Sequence, residues 1–192
     1  MTNRTPMMFA PALALIALAS CGSSKHGANN IQAGGAAMDS ATLAKIDLTT
    51  RAFKNGEPIP VQYTCDGAND SPPLSWGEPS PGTKSFALVI DDPDAPGGTF
   101  RHWAVFDIPA SARSIAAGQQ IGIQATNDKG GLGYTGPCPP KGNPPHHYHF
   151  RLFAVGVDKL GLGPTAKVKD VEDAAVRHAI AQGELIGTYQ RR

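Results

Sequence analysis

Carboxylates and imidazoles crowd into two stretches of this 192-residue chain. "DDPDAPGGTFRHW" carries Asp91, Asp92, Asp94 and His102, and "HHYH" carries His146, His147, Tyr148 and His149. Such groups can hold a metal, move protons or receive an ion, and their spacing decides among these. Asp92-Pro93-Asp94 opens like a calcium loop, but eleven places after Asp92, where a bidentate glutamate belongs, stands Trp103. Zinc on His102, His146 and an aspartate, with one open position, would suit hydrolysis. No His-Glu-x-x-His helix or other tight ligand spacing supports it, so neither metal nor cofactor is expected. The enzymatic alternative is a hydrolase that uses the Asp/His cluster for general acid/base work on an activated water. No Gly-x-Ser-x-Gly elbow, Gly-x-Gly-x-x-Gly cradle or Walker loop accompanies it. Taken singly, each aspartate fits the bland role of capping a turn in a loop rich in proline and glycine.

The elements around these groups must bring them together. "SFALVI", Ser85 to Ile90, and "HWAVFDIP", His102 to Pro109, have the length and the β-branched and aromatic content of strands, with turn formers between them. The acids and His102 therefore flank one connection at one end of a sheet. "YHFRLFAVGV" alternates strictly and is apolar on both faces, as in a central strand. In it His146 and Tyr148 point one way and His147 and His149 the other, so only one pair can join His102. "IDLTTRAF" and "VQYTC" read as further strands, and "DGANDSPPLSW" as a loop. The stretch from Ala110 to His147 is long, rich in glycine and irregular, which suggests a functional excursion. Only "KDVEDAAVRHAIAQGELIG" reads as a helix. Asp170 would be its N-cap and Asp173 would lie in its first turn; His178 packs near the apolar stripe, and Gly183 is the stop. The pattern predicts a mainly β fold, an antiparallel β-sandwich with Greek-key-like connections and a C-terminal helix.

Composition agrees, since 22 glycines and 17 prolines among 192 residues suit one domain of short strands and tight loops. A net charge of +1 without a basic cluster argues against a nucleic-acid partner. "MTNRTPMMFAPALALIALASCGSS" has a polar start with Arg4, an apolar stretch from Met7 to Ala19 and small residues before Cys21. It reads as a secretion signal. Leu18-Ala19-Ser20-Cys21 resembles a bacterial lipobox, with Cys21 as the lipidated first residue; the other reading is an ordinary signal peptide cut near Ser20. Residues 1–20 are thus expected to be the signal peptide, 21–45 a tether of small polar residues, and 46–192 the folded domain. Gly22 favours the outer membrane over inner-membrane retention, with the domain facing the periplasm. Cys65 and Cys138 remain, in a chain routed out of the reducing cytosol, and are expected to pair, the alternative being two buried free thiols.

Several motifs in order, "DPDAP", "HW" at the head of a strand, "GPCPPKG" and "HHY", together with "SPPLSW" and the closing "GELIGTY", resemble the phosphatidylethanolamine-binding protein family, which includes Raf kinase inhibitor protein. The resemblance runs from about Ile46 to Tyr189. It implies a β-sandwich with a small anion pocket formed here by Asp92, Asp94, His102, His146 and Tyr148. The short segment from Pro96 to His102 and the lack of a long C-terminal extension are similar to the bacterial branch and argue against kinase regulation or extraction of bilayer lipid. Imidazoles beside carboxylates have their charged form favoured, which suits phosphate. The expected partners are therefore a small phosphorylated ligand or anion, a protein engaged at the pocket rim, and the membrane through the lipid alone.

Overall fold

The computed structural model describes residues 43–192. The signal peptide, the lipidation site Cys21 and the tether as far as residue 42 lie outside these residues. In chain order the elements are β1 (Ala44–Lys45), β2 (Leu48–Thr49), a 3₁₀ turn (Val61–Tyr63), β3 (Leu74–Trp76), β4 (Ser85–Asp92) and β5 (Phe100–Pro109). They continue with β6 (Ser114–Ile115), β7 (Ile123–Gln124), β8 (His146–Val155), α1 (Val168–His178) and β9 (Ala179–Tyr189). Six strands form one sheet in the order β1-β9-β8-β4-β5-β7, and β2-β3-β6 form a second.

Every residue of β4 is buried, because it lies between β5 and β8 and both of its faces are covered. On one face Phe86, Leu88 and Ile90 join Phe150 and Leu152 of β8 and meet Leu48, Leu74, Trp76 and Ile115 of the small sheet. On the other, Ala87 and Val89 join Phe153 and Val155 under Val168, Val171, Ala174 and Ala175 of α1. The large sheet is therefore a middle layer, and its contact with the small sheet is compatible with a sandwich. Apolar residues on both faces of β8 reflect the same position between neighbours.

Several elements differ from expectation, each for a physical reason. "VQYTC" forms no strand: Pro60 fixes the approach, the Thr64 hydroxyl donates to the Val61 carbonyl at 2.9 Å, and Val61 is 53% exposed with no sheet to join. "LSW", expected in a loop, is β3. The helix stops at His178, and Ala179–Tyr189 is a strand paired with β8 along its length. Gly183 and Gly187 are not helix stops but flat places in β9. A Cβ at Gly187 would stand 2.5 Å from Ile59 Cγ1 and 2.8 Å from Phe53 Cε2. The N-cap of α1 is Lys167, whose backbone N–H donates to Asp170 Oδ2 at 2.9 Å, and His178 is exposed instead of packed. Regular structure begins two residues before Ile46, because β1 pairs with β9. That pair is parallel and makes an otherwise antiparallel sheet mixed.

Candidate functional site

The C-terminal end of β4 lies beside the N-terminal ends of β5 and β8, since Asp92 opposes Phe100 and Asp91 opposes His149. A cleft of about 380 Å³ opens there, with Asp92, His102, His146 and Lys129 as its polar and charged side chains among Ala95, Phe100, Pro139 and other apolar groups. Strand parity selects the histidines: His146 and Tyr148 are buried and His147 is exposed.

Asp92, His102 and His146 are only 3–4% exposed, and each is held by the protein through one edge. Asp92 Oδ1 accepts the Asp94 N–H at 2.9 Å, and Oδ2 lies 2.8 Å from His146 Nδ1. An ionised carboxylate can only accept, so His146 carries a proton on Nδ1 and keeps Nε2 for another partner. His102 Nδ1 lies 2.8 Å from the Thr135 carbonyl oxygen, which likewise can only accept and fixes the proton on Nδ1. Burial pushes the His102 pKa below the ordinary imidazole range, against the opposing pull of the Thr135 carbonyl and the Asp92 charge. Its neutral form therefore presents a lone pair at Nε2. The two histidines are not equivalent: one is backed by a carboxylate, the other by a carbonyl in a drier place.

Tyr148 stands behind the cleft, its ring edge-to-face with His102 at 5.2 Å. Its hydroxyl is buried without a hydrogen-bond partner, and desolvation with the nearby Asp92 charge holds its pKa far above the usual phenol value. Asp94 does not line the cleft. Its exposed Oδ2 accepts both the backbone N–H and Nδ1 of His147, at 2.8 and 2.7 Å, and this pairing lowers its pKa. It ties the loop after β4 to the start of β8. Asp91 pairs with Arg151, which also donates to Glu172 of α1 at 2.8 Å, while Arg101 Nε donates to the same glutamate at 3.0 Å. That network fastens the helix to the strands that carry the site.

The rim opposite comes from the irregular excursion. Cys138 is bonded to Cys65, with an S–S distance of 2.09 Å and Cα atoms 5.4 Å apart. The Gly136 N–H donates to Asn69 Oδ1 at 2.7 Å. A Cβ at Gly136 would meet the Tyr63 carbonyl oxygen at 2.5 Å, so only glycine lets the two loops approach. Residue-level reasoning missed Phe100 and Lys129. Phe100 was within reach, being two residues before His102 on one strand face, with the rings 4.8 Å apart. Lys129 lies in "NDKGG", where no periodicity indicates direction.

Comparison with known proteins agrees with this geometry. A family model described as phosphatidylethanolamine-binding protein matches residues 49–190. A UPF0098 protein of Aquifex aeolicus is 48% identical over 158 residues, covering 79% of this chain and 92% of that protein. A Mycobacterium tuberculosis protein whose name marks it as a candidate lipoprotein, LppC, is 38% identical and covers 98% of this chain and 97% of its own length. The crystal structure of Escherichia coli YbcL, described as a new member of the mammalian PEBP family, superposes with a TM-score of 0.73 at 33% identity, covering 78% of this chain and all of that one.

Proposed function

Because the chain belongs to the phosphatidylethanolamine-binding protein family, we propose that it is an envelope-anchored binding protein whose cleft takes a small anion, phosphate or a phosphorylated head group, with a protein partner engaged at the rim. The observation that carries this reading is the pairing of two unlike imidazoles in one apolar cleft, each with Nδ1 held by the protein and Nε2 left over. A phosphomonoester monoanion has both functions to match. Its anionic oxygen accepts from a protonated His146, whose charge Asp92 balances, and its P–OH donates to the neutral His102. Lys129 at the mouth adds attraction for an anion. Hydrolysis has less support: the cleft's only cysteine, Cys138, is bonded to Cys65 and offers no free thiol as a nucleophile.

Calorimetric titration with inorganic phosphate and with phosphoethanolamine tests the proposal. Replacing His102 or His146 by Ala is expected to cost about 1.5 to 3 kcal/mol of binding, the worth of a hydrogen bond to a charged group. His147→Ala, which removes an exposed partner of Asp94, is expected to change little. Equal losses at all three positions, or no binding by the wild type at mildly acidic to neutral pH, would overturn the assignment. Turnover of a phosphomonoester substrate that disappears in His146→Ala would reinstate the hydrolase.

A further inference from the structure

The loop that walls the anion cleft has a second face. Thr135 and Gly136 line the cleft, whereas Gly133 and Tyr134, immediately before them, line a separate hollow of about 200 Å³. Its polar side chains include Asp70, Gln119, Gln120 and Gln124, and the hollow has no lysine, arginine or histidine in its lining. Gln124 is 9% exposed, and its amide orientation is fixed by Trp103, whose indole N–H donates to Oε1 at 2.5 Å. The amide nitrogen, with two N–H groups to give, is then left with no partner in the protein. Leaving such a donor unmatched is unfavourable, and a group that accepts from it would relieve the cost.

The lining defines the chemistry that fits. An anion would meet the Asp70 carboxylate with no cation to offset it, so phosphate is disfavoured on this face. What suits the set is a neutral group that gives and takes hydrogen bonds at adjacent positions: one hydroxyl accepts from Gln124 while its neighbour donates to Asp70. Gln119 and Gln120 can do either. The volume falls below the roughly 300 Å³ at which pockets for drug-sized ligands begin, so one ring is the natural load. Leu132, 68% exposed at the edge, offers an apolar surface to the C–H face of such a ring. We infer that this hollow is a binding site for a neutral sugar ring, independent of the anion cleft across the same loop.

The Trp103 indole N–H reports directly on Gln124, and Trp76 is the only other tryptophan in the chain. In ¹H–¹⁵N spectra of the disulfide-intact protein, methyl β-D-glucopyranoside or N-acetylglucosamine is expected to shift the Trp103 indole and Gln124 amide signals saturably, leaving the imidazole signals of His102 and His146 in place. Inorganic phosphate should leave the Trp103 and Gln124 signals unmoved. Asp70→Ala, at an exposed position, is expected to weaken the sugar response at least tenfold while the folded spectrum persists. The inference fails if neither sugar moves the Trp103 signal, if phosphate moves it instead, or if Asp70→Ala leaves the response unchanged.

Discussion

His102 illustrates how one side chain's surroundings reverse a simple expectation. An imidazole near carboxylates should be charged more readily, but the aspartate that lines the cleft with it directs its Oδ2 to His146 at 2.8 Å, and His102 is left with a carbonyl and a dry pocket. Its folded pKa lies below the ordinary 6.5. The unfolded chain therefore binds this proton more readily, and the corresponding stability is present above pH 6.5 and lost as pH falls through the folded pKa. Urea unfolding of wild type and His102→Asn across mildly acidic pH is expected to show a steeper loss of stability in the wild type. Equal slopes would mean that His102 is not held neutral. At this scale the sequence was partly legible. Strand parity separated His146 and Tyr148 from His147 because alternation is a property of the backbone. Parity says nothing about a turn, so it could not foresee that Asp94 bends back to His147, or that Lys129 reaches the mouth of the cleft.

At the scale of elements, the strands that carry the site were readable because β4, β5 and β8 combine β-branched and aromatic residues with clear boundaries. The last strand was not. "AIAQGELIG" is as good a local helix as a strand, and only the open edge of β8 decides between them. The excursion from Ala110 to His147 has no periodicity to read, yet the Cys65–Cys138 bond fixes its far end beside the cleft across 73 residues of chain. In the chain-entropy account, closing a loop of that length constrains the unfolded chain by about 4 kcal/mol. Replacing both cysteines by Ser is expected to lower stability toward that amount, read as a lower denaturation midpoint with little change in slope. Weaker phosphate binding should accompany it, because Cys138 and Pro139 form the rim. If peptide mapping under non-reducing conditions found both thiols free in protein isolated without reductant, the effect would have no basis.

For the whole molecule, the question is where this cleft is held. The family match begins at residue 49, whereas similarity to the lipoprotein-named relative covers 98% of the chain and so extends into the segment around Cys21. Among the described residues no helix is long and apolar enough to cross a membrane. A lipid on Cys21 would leave at most about 80 Å of extended backbone between the bilayer and β1, which confines the cleft to ligands at or near that surface. One acyl chain binds membranes only marginally, and stable anchoring takes more than one, as a lipidated N-terminal cysteine provides. The expected outcome is that wild-type protein expressed in a bacterium takes up an alkyne-palmitate label and sediments with outer-membrane fractions, while Cys21→Ser takes up none and is recovered in the soluble envelope fraction. Both forms should bind phosphate alike, since the anchor lies outside the cleft. Membrane recovery of Cys21→Ser, together with an unlabelled wild type, would show that the N-terminal segment is not a lipoprotein signal and that the domain reaches its ligand by another route.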